Sequence, residues 1–189
     1  MATKTFTAGS VLTAADTNTY LANAGLVYVA SASFSASSAV TVSNCFTSTY
    51  NAYRILITTN SSAAGQLQLV LRSGSTNKTT GYYWSGLYNG SGSSGLTGEA
   101  ESNVGSWKIG YSEASSATES SIFMDLYYPA QAFYKQWTAS NLRQSATASN
   151  YNTRGGGAPD TGTYDGFQFS SAGGGTLTGK YIVMGYRAA

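Results

Sequence analysis

The sequence predicts a mainly β protein: an antiparallel two-sheet sandwich, jelly-roll-like, with one short N-terminal helix. Two observations carry that expectation. Apolar and polar residues alternate over short stretches separated by Gly, Ser, Thr and Asn clusters, the pattern of half-buried antiparallel strands. No second helix of ordinary length competes, because "QAFYKQWTASNLR" holds too many β-formers. A length of 189 residues suits one domain, able to bury on the order of 70% of its unfolded surface without a metal or disulfide. Residues 1–25 read as an N-terminal segment carrying the helix, and residues 26–189 as a single sandwich domain.

The helix is expected over "TAADTNTYLANAG", Thr13 to Gly25. Thr13 is placed as N-cap, Asp16 reaches the free amides of the first turn, and Gly25 suits a left-handed stop. Thr17, Asn18 and Thr19 are mediocre helix formers, and the segment falls short of the roughly 12–15 residues at which an isolated helix is marginal. It therefore has to lean on something through Tyr20, Leu21 and Ala24, joined by Val11 and Leu12, either its own sheet or a neighbouring chain.

Nine strands follow in order. "LVYVASASF" and "SAVTVS" come first. "YRILITT" sets Ile55 and Ile57 on one face against Arg54 and Leu56. "QLQLVLR" turns Leu67, Leu69 and Leu71 inward and Gln66, Gln68 and Arg72 outward. "WKIGY" (Trp107, Ile109, Tyr111) and "SSIFMDLYY" (Ile122, Met124 and Leu126 inward) continue the pattern, as do "AFYKQWT" (Phe133, Trp137), "FQF" (Phe167, Phe169) and "KYIVMGYR" (Ile182, Met184, Tyr186).

Three connections read as long Gly- and Ser-rich loops: Gly74–Thr80, Gly86–Gly105 and Ser145–Gly162. In "GYYWSGLYNGSGSSG", Tyr82, Tyr83, Trp84 and Tyr88 stand among small polar residues. Antibody paratopes share that composition, and sugar rings stack on such aromatics. The competing reading places Trp84 and Tyr83 on a core-facing strand. The third loop adds Asn150, Tyr151, Arg154 and Asp160, with an ordinary solvated surface as the alternative.

Several chemistries are disfavoured. The chain has no histidine, which removes Ser-His-Asp and Cys-His activation and His-ligated zinc. Neither a metal centre nor a cofactor is expected. Cys45, the single cysteine, reads as a small buried residue beside Phe46. Charged residues make up 10% of the chain, against about 25% in a typical domain. The net charge of +2 is scattered, so nucleic acid is not an expected partner. No stretch approaches the roughly 20 apolar residues that span a bilayer, and the opening residues do not read as an export signal. "GGTLTGK", Gly174 to Lys180, has phosphate-loop spacing, but Tyr181 replaces the metal-binding hydroxyl and a strand follows. "GSGSSG", Gly90 to Gly95, mimics a dinucleotide fingerprint without a βαβ unit. Asn60, Asn77 and Asn89 head glycosylation sequons that carry meaning only in a secreted protein. Glu99 and Glu101 in "TGEAESN" would share a face about 7 Å apart if extended, near glycosidase separations. The segment reads instead as a solvated loop, with no apolar pocket to raise a carboxyl pKa. Asp125 and Asp165 are expected on strands.

Two termini resemble a known family. "FTAGSVLTAADTNTYLANAGL", Phe6 to Leu26, is similar to the opening of bacteriophage virion proteins of tails, fibres and baseplates. It departs at Thr17 to Thr19, where more helix-favouring residues are usual. "GTLTGKYIVMGYR", Gly175 to Arg187, resembles the closing strand of phage jelly-roll modules. The resemblance implies a non-enzymatic structural component of the virion, made in the host cytoplasm and assembled as a homo-oligomer, a trimer in the usual arrangement. Its partners would be sister chains and other virion proteins. The N-terminal segment would anchor it through Phe6, Val11, Leu12, Tyr20 and Leu21. Two roles follow: a tail-fibre or tail-appendage adhesin that binds cell-surface carbohydrate through Tyr82, Tyr83, Trp84, Tyr88 and Arg154, or a capsid decoration protein whose aromatics are core.

Overall fold

Alternation in "QLQLVLR" is realised in full: Leu67, Leu69 and Leu71 have no exposed surface, and each contributes roughly 1.5–3 kcal/mol by leaving water. The computed structural model describes residues 8, 9, 11, 13, 25–89, 95–114, 119–144 and 149–187. Among these the regular elements are strands: β1 (Leu26–Ser37), β2 (Ala39–Val42), β3 (Tyr50–Ser61), β4 (Gly65–Ser73), β5 (Thr76–Asn77), β6 (Tyr82–Asn89), β7 (Leu96–Val104), β8 (Trp107–Ser112), β9 (Ser120–Tyr127), β10 (Lys135–Gln144), β11 (Ser149–Ala158), β12 (Gly166–Ser171) and β13 (Leu177–Arg187). All pairings are antiparallel. The large sheet runs β1-β13-β3-β9-β10-β11-β6-β7, and the small one β2-β12-β4-β5, with β8 also on β4.

The sheets form a sandwich around one shared apolar core. Ile55, Ile57, Ile122, Met124, Leu126, Trp137 and Val183 from the large sheet meet Val40, Val42, Phe167, Phe169, Trp107 and Ile109 from the small one. Rings tie the layers together: Phe46 stacks on Phe167 at 5.6 Å, and Trp107 lies 5.6 Å from Trp137. Trp107 Nε1 also donates to Gly157 O at 3.0 Å, linking β8 to β11 across the core. The buried Tyr53 hydroxyl donates to Thr47 O at 2.8 Å and accepts from Thr47 N at 2.6 Å, so its polar end is satisfied. Burial pushes the Cys45 thiol pKa up to about 12, against the opposing effect of its own backbone hydrogen bond.

Several expectations need correction. There are thirteen strands among the described residues rather than nine. β6 with β7, and β11, occupy most of the stretches expected as the second and third loops; their Gly, Ser and Asn residues are weak strand formers, held in the sheet by backbone pairing with neighbouring strands. In β13 the core faces are Leu177, Val183 and Gly185, while Ile182, Met184 and Tyr186 lie half-buried on the outer face. The expected face, Ile182, Met184 and Tyr186, is the wrong parity because Tyr181 to Met184 are all apolar and carry no period-2 signal. Phe133 is exposed in the turn before β10, and Asp165 sits in the bend before β12, where its carboxylate accepts from Gly74 N. The expected helix falls on residues outside those described. So do Phe6, Leu12, Tyr20 and Leu21; Val11 is described and exposed.

Candidate functional site

Successive side chains on a strand point to opposite faces, so β6 cannot present Tyr82, Tyr83 and Trp84 together. Tyr82 and Trp84 face the core at 0% and 4% exposure, while Tyr83 points outward at 40%. The Tyr82 hydroxyl accepts from Leu71 N at 2.7 Å and donates to Lys78 O at 3.2 Å; burial drives its pKa well above the ordinary tyrosine value. Tyr88 shares the inward parity and rests 5.9 Å from the Tyr111 ring.

Arg154 is also buried. Its guanidinium lies 4.9 Å from the ring centres of both Trp84 and Tyr111 and donates to Glu99 Oε2 at 2.8 Å and Lys108 O at 3.2 Å. Room for it comes from Gly86, its register partner, where a Cβ would fall 2.4 Å from Arg154 Cγ. Glu99 further accepts from the Tyr111 hydroxyl at 3.2 Å, and Glu101 accepts from Trp84 Nε1 at 2.9 Å. Both carboxylates of "TGEAESN" are thus held on β7 by cross-strand partners. Asp160 is likewise engaged, with Lys78 at 2.8 Å, and Tyr151 is exposed with its hydroxyl 3.0 Å from Ser140 Oγ.

Of the aromatic candidates, Tyr83 is the one that faces solvent beside a groove. The groove is shallow and open, with a volume of about 290 Å³, and is lined by Tyr83, Tyr134, Lys135, Gln136, Gly157, Ala158 and Pro159. Its geometry follows from two local features. In "RGGGAP", a Cβ at Gly156 would stand 2.1 Å from Tyr83 O, so only glycine lets β6 approach β11 this closely and set Tyr83 at the rim. At the other rim, Lys135 is buried, and its ammonium donates to Gln131 O at 2.7 Å and to Phe133 O. Burial lowers the Lys135 pKa, an effect only partly offset by Asp160. Those bonds fold the 128–134 turn back and leave Phe133 and Tyr134 outside, at 59% and 61% exposure. Tyr128 starts the turn with φ of 59°, a left-handed conformation costly for a bulky residue, fixed by its N–H bond to Asn51 O.

Tyr83 and Tyr134 therefore form two exposed rings on a rigid scaffold, suited to stacking against a flat, partly apolar ligand such as a sugar ring. Sequence reasoning found Tyr83 but missed Tyr134, because "AFYKQWT" reads as one strand; the signal was Pro129 ahead of three consecutive non-alternating residues. Among the described residues, no three Cys, Asp or Glu side chains gather as a metal site, and no helix is long and apolar enough to cross a membrane. Compared with known proteins, the chain matches no family model, no curated protein and no solved structure.

Proposed function

We propose that the protein is a non-enzymatic structural component of a bacteriophage virion, a module of a tail fibre or tail appendage that attaches through its N-terminal segment and binds host-surface glycan. The observation that carries the reading is the Tyr83–Tyr134 groove. We read the pairings β1-β13-β3-β9 and β2-β12-β4-β8 as a wound jelly-roll frame, to which β5–β7 and β10–β11 are additions. Tyr83, the turn bearing Tyr134, and Gly157 all belong to or flank those additions. A binding groove built on strands added to such a frame fits adhesion, where a scaffold positions variable recognition residues. The resemblance of Phe6–Leu26 and Gly175–Arg187 to virion proteins supports the particle context, with assembly as a homo-oligomer, a trimer, alongside other virion proteins.

A second reading, capsid decoration, is favoured by one feature. Ile182, Leu56 and Phe123 stand in register across β13, β3 and β9 on the outer face of the large sheet, an apolar row suited to contact with another subunit. Gold labelling of the C-terminus on virions of the encoding phage, viewed by electron microscopy, separates the two. Label on the tail or fibres supports attachment, label over the head supports decoration, and unlabelled particles overturn both.

A further inference from the structure

The outer face of the small sheet carries a second, differently built site. Among the residues alternating with its buried leucines and phenylalanines, Gln68 on β4 and Gln168 and Ser170 on β12 are polar and Val70 on β4 is apolar. Together with Asn77, Lys108 and Glu101 they line a cleft of about 440 Å³, within the roughly 300–1,000 Å³ of ligand pockets. The cleft lies where Glu101 and Val104 of β7 and the following residues Gly105 and Ser106 meet β4 and β12.

Its amides are braced against one another. Gln68 Oε1 accepts from Ser106 Oγ at 3.2 Å and Lys108 Nζ at 3.3 Å, and its Nε2 donates to Ser170 Oγ at 3.0 Å. Gln168 Oε1 accepts from Asn77 Nδ2 at 2.9 Å, and its Nε2 donates to Thr41 Oγ1 at 2.8 Å. Asn77 Oδ1 in turn accepts from Arg72. A side-chain amide offers two donor hydrogens and two acceptor lone pairs. Each of these three therefore keeps at least one further hydrogen to donate, in an orientation already fixed. Glu101, held by Trp84 Nε1, supplies a carboxylate, and Lys108 has ammonium hydrogens beyond its bond to Gln68. Val70 and Val104 add an apolar patch to the lining.

Fixed, mixed donors and acceptors beside an apolar patch match a ligand whose hydroxyls each donate and accept while its C–H face is apolar. The opposite charges of Glu101 and Lys108 argue against a phosphate or other anion. We infer that this cleft is a subsite for a neutral oligosaccharide, with Gln68, Gln168, Asn77 and Lys108 as its recognition residues. The inference rests on the glycan-binding reading above. The cleft and the Tyr83–Tyr134 groove lie on opposite faces of the sandwich, so each is read separately.

The test is ¹⁵N-¹H spectroscopy of the full chain titrated in turn with maltotriose, chitotriose and mannotriose to about 10 mM, the scale on which millimolar sites fill. The side-chain amides of Gln68, Gln168 and Asn77 are expected to shift with at least one of them. Gln168→Ala should weaken that response about tenfold, the loss of one good hydrogen bond, while responses around Tyr83 persist. Lys108→Met gives a second reading should Gln168→Ala disturb its bonds to Thr41 and Asn77. Shifts confined to the Tyr83 groove overturn the cleft and leave the glycan reading standing. No shift anywhere overturns both, and equal shifts with sodium phosphate overturn the neutral-saccharide assignment.

Discussion

Replacing Arg154 by methionine keeps an unbranched apolar stem and removes the guanidinium with its charge and donors. The structure sets the size of the effect. The bond to Glu99 is charge-assisted and of a kind contributing about 1.5–3 kcal/mol, and the guanidinium lies 4.9 Å from the ring centres of Trp84 and Tyr111, adding roughly 0.5–2 kcal/mol apiece. Against this, the substitution relieves the cost of holding a cation that is 1% exposed, and Glu99 keeps a quarter of its side chain in solvent, where pairing is screened. The net loss should therefore be about 2–3 kcal/mol, which for a chain of this length corresponds to a Tm lower by about 4–12 °C. Urea unfolding followed by tryptophan fluorescence measures it, because Trp84 reports directly on the clamp. Glu99→Gln, which retains an acceptor, should cost less than half as much. A double-mutant cycle should show the two positions coupled, since they share one bond. Unfolding of Arg154→Met within about 0.5 kcal/mol of the parent would refute the clamp. Below its melting transition the variant should still bind glycan, since Arg154 is a buried brace and not a ligand contact.

Three further outcomes follow from the same structure. Gly156→Ala would place a methyl 2.1 Å from Tyr83 O and should cost about 2–3 kcal/mol, whereas Gly98→Ala, with its nearest contact 3.9 Å away at Leu87, should stay within about 0.5 kcal/mol by urea denaturation. Burial raises the Asp125 pKa, but bonds from Arg54 and Tyr186 and the Arg54 charge outweigh it, and Asp160 is lowered in the same manner, its burial outweighed by Lys78, Tyr164 and Gly162. Both carboxyls thus sit below their unfolded value of about 3.9, so their stabilisation is fully present above about pH 4 and is lost as pH falls through the folded pKa. Asp125→Asn and Asp160→Asn should each flatten the acid limb of a Tm-versus-pH curve; an unchanged slope would contradict the assignment. Finally, the Cys45 thiol, pushed up to about 12 by burial, should resist iodoacetamide at pH 8 in the folded protein and react once urea unfolds it.

The all-β sandwich was legible because apolar residues recur at every second position in β3, β4, β9 and β12, marking the buried face at Ile55, Leu67, Ile122 and Phe167 even where Leu56, Val70 and Phe123 add an apolar residue to the other face. β6, β7 and β11 were not, since Gly and Ser carry no periodic signal and their strand state depends on partners distant in sequence, as in Gly156 opposite Trp84. The site was legible in composition but not in direction. "YYW" announces aromatics, and only the pairing of β6 with β11 decides that Tyr83 alone turns outward. Arg154 reads as a polar loop residue because nothing local announces that Trp84, Tyr111 and Glu99 converge on it. The polar cleft is the product of outward-facing Gln68 and Gln168, each visible as an alternate position, brought side by side by β4–β12 pairing between residues about a hundred apart.

The most direct test of the central claim is a microarray of bacterial surface glycans probed with the labelled full chain and with Tyr83→Ala and Tyr134→Ala variants whose circular dichroism matches the parent. The account predicts that the parent binds at least one glycan and that each variant loses most of that signal, since a stacked ring contributes about tenfold or more in affinity. A parent that binds nothing, or variants that bind as the parent does, would contradict it.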